Sequence, residues 1–140
     1  MAIKLTIPMW TLSTDNEQSL GAGRTVVTAT TTVSREYPEF SRFAKAIFIL
    51  DVSAATGTSP TLDVTVQGFN EASGKWHTVV TFPQQVAASA ASPLAANSVL
   101  VQSANLDYTR YRAQWVTGGT GISITFTLVA IAHTEEAVTR

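Results

Sequence analysis

The segments TLDVTVQGF at residues 61–69 and KWHTVVTF at residues 75–82 are the most informative about the fold. In the first segment apolar residues occupy every second position, which is the period of a β-strand with one face against a core. The second segment alternates in the same way, and the residues between the two segments include Gly74. Two alternating runs joined by a short loop with glycine predict a β-hairpin.

A second pair of alternating segments lies near the end of the chain. YTRYRAQWV at residues 108–116 and ISITFTLVAIA at residues 122–132 are separated by TGGTG at residues 117–121. The glycines identify TGGTG as a turn by composition. The pattern therefore predicts a second hairpin.

Four more segments have the character of strands, at residues 3–9, 24–34, 43–52 and 98–102. Around residues 47–50, both faces of the predicted strand at residues 43–52 are apolar. This is typical of a central strand or of a strand beneath a subunit interface. Together the segments predict about eight short strands separated by turn residues. We therefore expect an all-β fold, an antiparallel β-sandwich whose strand count favours a jelly roll.

The composition limits the partners and the chemistry. The 140 residues suffice for one domain, and only 14% of them are charged, against a usual level of about 25%. The formal net charge of −1 provides no basic surface, so neither nucleic acid nor a membrane is an expected partner. The absence of cysteine excludes disulfides, thiolate nucleophiles and cysteine-bound zinc. The start MAIKLTIPMW lacks a continuous apolar core, so no signal peptide is expected.

The chain divides into three predicted parts. Residues 1–23 form an N-terminal arm and a polar connection, residues 24–133 form the β-sandwich domain, and residues 134–140 form a polar tail. The arm has apolar residues in phase, followed by a tryptophan and a polar tether. These residues are Ile3, Leu5, Ile7, Met9 and Trp10. Such an arm predicts protein interaction with another chain, by strand addition or domain exchange.

No catalytic motif is present. His77 and His133 have no second histidine or carboxylate at metal-ligand spacing, and the chain contains no GxSxG sequence. The glutamate pairs at positions 36/39 and 135/136 are best explained as solvated side chains. A catalytic triad or a calcium site assembled from distant residues stays open at this stage. We expect no enzyme activity, no cofactor and no metal.

Arg110 and Arg112 fall on the same face of one predicted strand. They indicate either an anion site or ion pairs with Asp63 or Glu71 at an interface, and the sequence favours the interface. Five aromatic residues fall on inward positions and are predicted to pack in the core, in preference to forming a sugar-stacking platform. They are Phe48, Trp76, Phe82, Trp115 and Phe126.

The hairpin at residues 61–82, the Ala/Ser-rich segment after it, RYRAQWVTGGTG and SITFTLVAIA together resemble small virion proteins of tailed bacteriophages. The resemblance spans residues 43–132 and is closest to capsid decoration, or cement, proteins of the jelly-roll type. It implies a structural protein that is made in the cytoplasm of a bacterial host and that binds the outer surface of the expanded head as a homotrimer. The implied partners are copies of itself and the major capsid protein.

Two alternatives remain open at this stage. A neck, tail or baseplate protein of a phage has the same local physics. A carbohydrate-binding β-sandwich module would display several aromatic residues together on its surface.

Overall fold

The computed structural model describes residues 9–13, 24–86 and 99–133. Within these ranges the chain forms eight β-strands and one short 3-10 helix at Pro38–Arg42. The strands are β1 (Met9–Thr11), β2 (Arg24–Val26), β3 (Thr31–Val33), β4 (Lys45–Asn70), β5 (Lys75–Thr81), β6 (Gln85–Val86), β7 (Val99–Asn105) and β8 (Tyr111–His133). No helix in this part of the chain is long and apolar enough to cross a membrane.

The fold is built on two long antiparallel strands, β4 and β8. They pair from Lys45 opposite His133 to Gly68 opposite Tyr111. β1, β2 and β3 follow one another along the free edge of β8, whereas β7, β6 and β5 line the free edge of β4. All of these pairings are antiparallel, and they join the strands into a single sheet.

The sheet is folded back on itself. The rings of Trp115 and Phe126 lie 5.6 Å apart, although both belong to β8. Eleven residues of straight strand would separate them by about 36 Å, so β8 must reverse its direction between them. The register of β4 against β8 shifts at three places between Val52 and Thr61, which locates the bend in both strands.

The bend divides the sheet into two halves that pack face to face. Half I contains residues 45–52 of β4 and 122–133 of β8, with β1, β2 and β7. Half II contains residues 61–70 of β4 and 111–118 of β8, with β3, β5 and β6. The predicted all-β antiparallel sandwich is confirmed.

The predicted hairpin at residues 61–82 is confirmed by the pairing of β4 with β5. Asn70 starts the turn, since its side-chain oxygen accepts hydrogen bonds from the backbone N–H groups of Ala72 and Ser73. Gly74 completes it with φ of +66°.

The predicted hairpin around residues 117–121 is wrong. The segments before and after TGGTG belong to the one strand β8, and each pairs with β4 instead of with the other. Gly119 adopts φ of +111° and allows the strand to bend, while Gly57 does the same in the neighbouring strand with φ of +112°. Glycine at these positions permits a bend as readily as a turn, and pairing with β4 on both sides of the bend selects the bend.

Other predicted strands also have different boundaries in the structure. Residues 24–34 are split into β2 and β3, which pair with opposite halves of β8. Residues 45–52 and 61–69 are continuous in β4, so the predicted strand at residues 43–52 begins at Lys45. The predicted strand at residues 98–102 corresponds to β7. Of the predicted strand at residues 3–9, residues 3–8 lie outside the described residues, and Met9 begins β1.

The core lies between the two halves and is closed at one end by aromatic rings. Trp10 of β1 is buried and packs edge-on against Phe40 at 4.7 Å, and Phe40 stacks on Tyr37 at 5.1 Å. Because β1 pairs with β8 of the same chain, residues 9–13 of the predicted arm lie in the protein's own sheet. The predicted part boundaries at residues 23 and 133 stay predictions.

The short helix carries an ion pair on its exposed side. Arg35 and Glu39 are 2.9 Å apart, and the Arg35 guanidinium also lies 3.9 Å from the centre of the Tyr37 ring. Burial acts to raise the pKa of Glu39, but the hydrogen bond from Arg35, a backbone hydrogen bond and the charges of Arg35 and Arg42 together lower it. The Glu39 carboxylate is therefore ionised and paired with Arg35 at neutral pH.

Tyr111 supports a first prediction, about stability at high pH. Its buried hydroxyl accepts a hydrogen bond from the backbone N–H of Tyr108 at 2.6 Å, and burial raises its pKa to about 12. Tyr111→Phe should lower the free energy of unfolding by about 1–3 kcal/mol at pH 7, because that N–H loses its acceptor. A pKa raised in the folded state gives stability that is complete below pH 10 and declines as the pH approaches 12.

The difference between wild type and Tyr111→Phe should therefore shrink between pH 7 and pH 11, when both are unfolded in urea. An equal difference at the two pH values would contradict the role assigned to the buried hydroxyl.

Candidate binding surfaces

The outer side of each half presents a different chemistry. In half I it carries a contiguous group of six apolar side chains among polar ones, and we call this group the apolar outer face. Its residues are Met9, Ile47, Ile49, Val101, Val129 and Ile131. In half II it combines arginine, aromatic and amide side chains, and we call it the arginine–aromatic face. Its residues are Gln67, Phe69, Trp76, Arg110, Arg112 and Gln114.

The apolar outer face follows from the register of four adjacent strands. Residues directly opposite each other in a sheet share a face. Ile131 of β8 lies between Met9 of β1 and Ile47 of β4, and in the next outward row Val129 lies beside Ile49. Ile49 in turn lies opposite Val101 of β7, whose side chain is 58% exposed.

The inward residues of β4 are buried, as expected for a strand that is apolar on both faces around residues 47–50. Phe48 and Leu50 lie in the core, whereas Ile47 and Ile49 point outward and are half-buried. The outward-facing residues of β4 end in an exposed charged residue on each side, Lys45 at one end and Asp51 at the other. A β-strand with isoleucine on its outer side has apolar surface available for a partner.

The arginine–aromatic face depends on an irregularity in β5. Val66 pairs with Val80, but the next residue, Gln67, pairs with Thr78, so that Val79 is an extra residue in β5. In β5 before the bulge, at residues 75–78, the inward and outward positions are therefore exchanged. Trp76 points outward, opposite Phe69. The two rings meet at 5.2 Å in an edge-to-face arrangement.

The predicted core position of Trp76 is therefore wrong, because a bulge changes the phase of a strand without any signal in composition. The other four aromatic predictions are confirmed. Phe48, Phe82, Trp115 and Phe126 are all buried, with exposed fractions of 2% or less.

Arg110 is neutralised within the chain. Its guanidinium lies 3.9 Å from the centre of the Phe69 ring. Nε lies 2.8 Å from a carboxylate oxygen of Glu36, and Nη1 lies 3.3 Å from one of Glu71. Glu71, one of the two predicted partners, thus contacts Arg110 inside one chain.

The other predicted partner, Asp63, binds no arginine among the described residues and instead accepts a hydrogen bond from the Gln84 amide at 2.8 Å. It lies further along β4, opposite Val116. Asp63 therefore contributes to the rim of half II and not to the arginine cluster.

Arg112 is held in place but is not neutralised. Its guanidinium lies 4.2 Å from the centre of the Trp76 ring, and its Nε donates a hydrogen bond to the side-chain oxygen of Gln67 at 2.7 Å. The amide of Gln67 in turn donates to the side-chain oxygen of Gln114 at 3.4 Å. In the described parts of the chain, no carboxylate lies within 4 Å of Arg112.

The histidines lie apart. His77 stacks on the Tyr108 ring at 6.0 Å and has Ser73 Oγ at 3.3 Å, in half II. His133 ends β8 in half I, opposite Lys45. Within the described ranges, no three histidine, aspartate or glutamate side chains are grouped so that they would hold a metal ion.

The predicted interaction residues are thus distributed over several places. Met9 lies on the apolar outer face, Trp10 lies in the core, and Arg110 and Arg112 lie on the arginine–aromatic face. Ile3, Leu5 and Ile7 lie outside the described residues.

The other members of the apolar outer face were not singled out from the sequence. The sequence nevertheless indicates them, because the odd-numbered and the even-numbered positions of residues 43–52 and of the end of β8 are both mostly apolar. Recognising Val101 and Met9 as their neighbours requires the strand order, which periodicity does not provide.

No protein-family model matches the chain, and no curated protein sequence matches it. Among solved structures, the chain is similar to the PBSX exported protein XepA, with a TM-score of 0.56 and 12% identity over 94% of this chain and 39% of that one. It is also similar to the CBM22-1 and GH10 modules of Clostridium thermocellum xylanase 10B, complexed with xylohexaose. That match has a TM-score of 0.50 and 11% identity over 99% of this chain and 27% of that one. The chain spans less than half the length of either protein, and the likeness shows a shared β-sandwich fold.

Proposed function

We propose that this chain is a structural virion protein that binds the outside of a phage head as a homotrimer and stabilises the capsid lattice. The observation that carries the proposal is the apolar outer face of half I. Val101 in this face is 58% exposed and the other five residues are half-buried, and a contiguous apolar patch on the outer side of a sheet is typical of a binding surface. The resemblance of residues 43–132 to decoration proteins, and a sandwich fold shared with the PBSX exported protein XepA, support the same role.

The chemistry of the face favours burial against another protein surface. Burial of apolar area contributes roughly 25 cal/mol per Å², and β-branched side chains on a sheet are stiff, so little entropy is lost when they are covered. Ile47, Ile49 and Val129 are central in the patch, and the outward charges, Lys45 and Asp51, stand at its ends. This is the arrangement of an interface with an apolar centre and a polar rim.

The first test is self-association of the Ile49→Asp variant. A carboxylate in the centre of an apolar contact loses its hydration without gaining a partner, so the dissociation constant of the trimer should rise by at least about a hundredfold. Native mass, measured by light scattering over a dilution series, should be that of three chains for wild type and one chain for the variant.

Thr81→Asp is the matched control, since Thr81 is an exposed strand residue in half II. It introduces the same charge and should leave the native mass unchanged. A wild-type protein that is monomeric at every concentration would overturn the trimer.

The capsid role is tested separately with purified expanded heads of a phage that encodes this chain. Wild type and Thr81→Asp should sediment with the heads and raise their resistance to heat. Labelling of intact virions distinguishes the head from its nearest alternatives, and a label confined to the neck, tail or baseplate would overturn a role on the capsid surface.

A further inference from the structure

Arg112 is oriented before any ligand arrives. One face of its guanidinium rests on Trp76, and its Nε is bound to Gln67, which is itself bound to Gln114. These contacts fix the plane and the direction of a side chain that would otherwise be mobile. A ligand would therefore lose less free energy in ordering the arginine than it would with a free surface side chain.

The comparison with Arg110 shows what is unusual about Arg112. Both guanidinium groups rest on an aromatic ring, but Arg110 has two carboxylates at its nitrogens whereas Arg112 has an amide oxygen only. Within the described residues, neither Nη atom of Arg112 donates a hydrogen bond, and the residue is half-buried. The two Nη groups therefore form a fixed fork whose charge is not compensated, and that fork matches a carboxylate.

The groups around this fork are neutral and can form hydrogen bonds. Gln67 lies beside Thr78, and in the next outward row Gln114 lies beside Thr65. Their amides and hydroxyls are suited to the hydroxyl groups of a sugar. A ligand with several hydroxyls and one carboxylate would form hydrogen bonds with these amides and hydroxyls and an ion pair with Arg112.

A dianionic ligand fits less well. Arg112 supplies a single uncompensated positive charge, and the neighbouring Arg110 is already bound to Glu36 and Glu71. A phosphate would meet those carboxylates without a second free cation. The charge of the face therefore selects a monovalent carboxylate over phosphate.

We propose that the arginine–aromatic face is a saccharide-binding site in which Arg112 binds the carboxylate of a uronic-acid sugar. Gln67 and Gln114 orient Arg112 and contact the sugar hydroxyls. The ring of Trp76 packs against one face of the guanidinium. This activity goes beyond the virion role and uses the opposite half of the sandwich from the apolar outer face.

The test is titration calorimetry with tetrasaccharides of galacturonic, glucuronic and mannuronic acid, each compared with its neutral tetrasaccharide. Wild type should bind at least one acidic tetrasaccharide at least tenfold more tightly than its neutral counterpart, and more weakly as salt is added. Arg112→Met should lose at least tenfold of that affinity. Arg112→Lys should fall between the two, since it keeps the charge but loses the fork.

Arg42→Met is the matched control, because Arg42 is an exposed arginine beside an aromatic ring, Phe43, outside this face. It should bind as wild type does. Unchanged thermal unfolding of each variant shows that a loss of binding does not come from a loss of fold.

Three results would overturn the proposal: no binding of any acidic tetrasaccharide, equal binding of acidic and neutral sugars, or full binding by Arg112→Met. Equal affinity for a tetraglutamate peptide would overturn the sugar assignment and indicate a protein carboxylate as the ligand. Ile49→Asp should retain sugar binding, so the failure of this site and the failure of the trimer give different results.

Discussion

Trp115→Ala is expected to lower the free energy of unfolding by about 3–5 kcal/mol, the largest effect of any single substitution considered. Trp115 is 1% exposed, and its ring meets Phe126 across the interior of the sandwich. Arg24 of β2 lies 5.0 Å from the centre of the same ring. Because Trp115 belongs to half II while Phe126 and Arg24 belong to half I, the tryptophan joins the two halves.

Urea unfolding followed by far-UV circular dichroism measures this loss, and the melting temperature should fall by roughly 10–20 °C. Trp115→Phe is the matched control. The indole N–H of Trp115 has no hydrogen-bond partner among the described residues, so phenylalanine removes an unsatisfied donor along with some volume. Its cost should be less than half that of alanine. Equal costs for the two variants would show that ring packing is not what Trp115 contributes.

Gly57→Ala is expected to destabilise the fold by about 2–4 kcal/mol, because it acts on the bend that brings the halves together. Gly57 has φ of +112°, which residues with a side chain rarely adopt. A Cβ atom there would lie 2.7 Å from the carbonyl oxygen of Gly121 and 2.7 Å from the Cα of Ile122. Both neighbours are backbone atoms of β8, so neither can rotate away.

Gly74→Ala measures the cost of a side chain at positive φ in the absence of a steric clash. Gly74 also has positive φ, at +66°, but a Cβ atom there meets nothing within 4 Å. It should cost about 1 kcal/mol, which is the conformational penalty alone. Both variants are compared with wild type by urea unfolding, and a Gly57→Ala cost no greater than that of Gly74→Ala would mean that the bend relaxes around the added methyl group.

The two outer faces would allow a chain with so few charges to carry both of the binding functions proposed above. The apolar outer face uses the outward residues of half I, and the arginine–aromatic face uses those of half II. A substitution on one face does not contact the other, so the effects of Ile49→Asp and Arg112→Met on stability should be additive. The proposed association through half I would leave the opposite side of the sandwich available for a ligand.

The class of the fold and much of its core could be predicted from the sequence. Alternation with a period of two is a local property, so it identified the strands at residues 61–69 and 75–82, their hairpin, and the burial of Phe48, Trp115 and Phe126. It also revealed that residues 47–50 are apolar on both sides. Each of these inferences depends only on neighbours within a few positions of the chain.

The connections between those segments, and the residues on the outer surface, depend on pairing between strands that are distant in the chain. TGGTG is compatible with a turn or a bend, and the pairing of both parts of β8 with β4 made it a bend. A single extra residue, Val79, moved Trp76 from the predicted core to the surface and placed it under Arg112. Register and bulges depend on which distant strand supplies the hydrogen bonds, and that choice is made by the burial of the whole sheet, not by the residues within one strand.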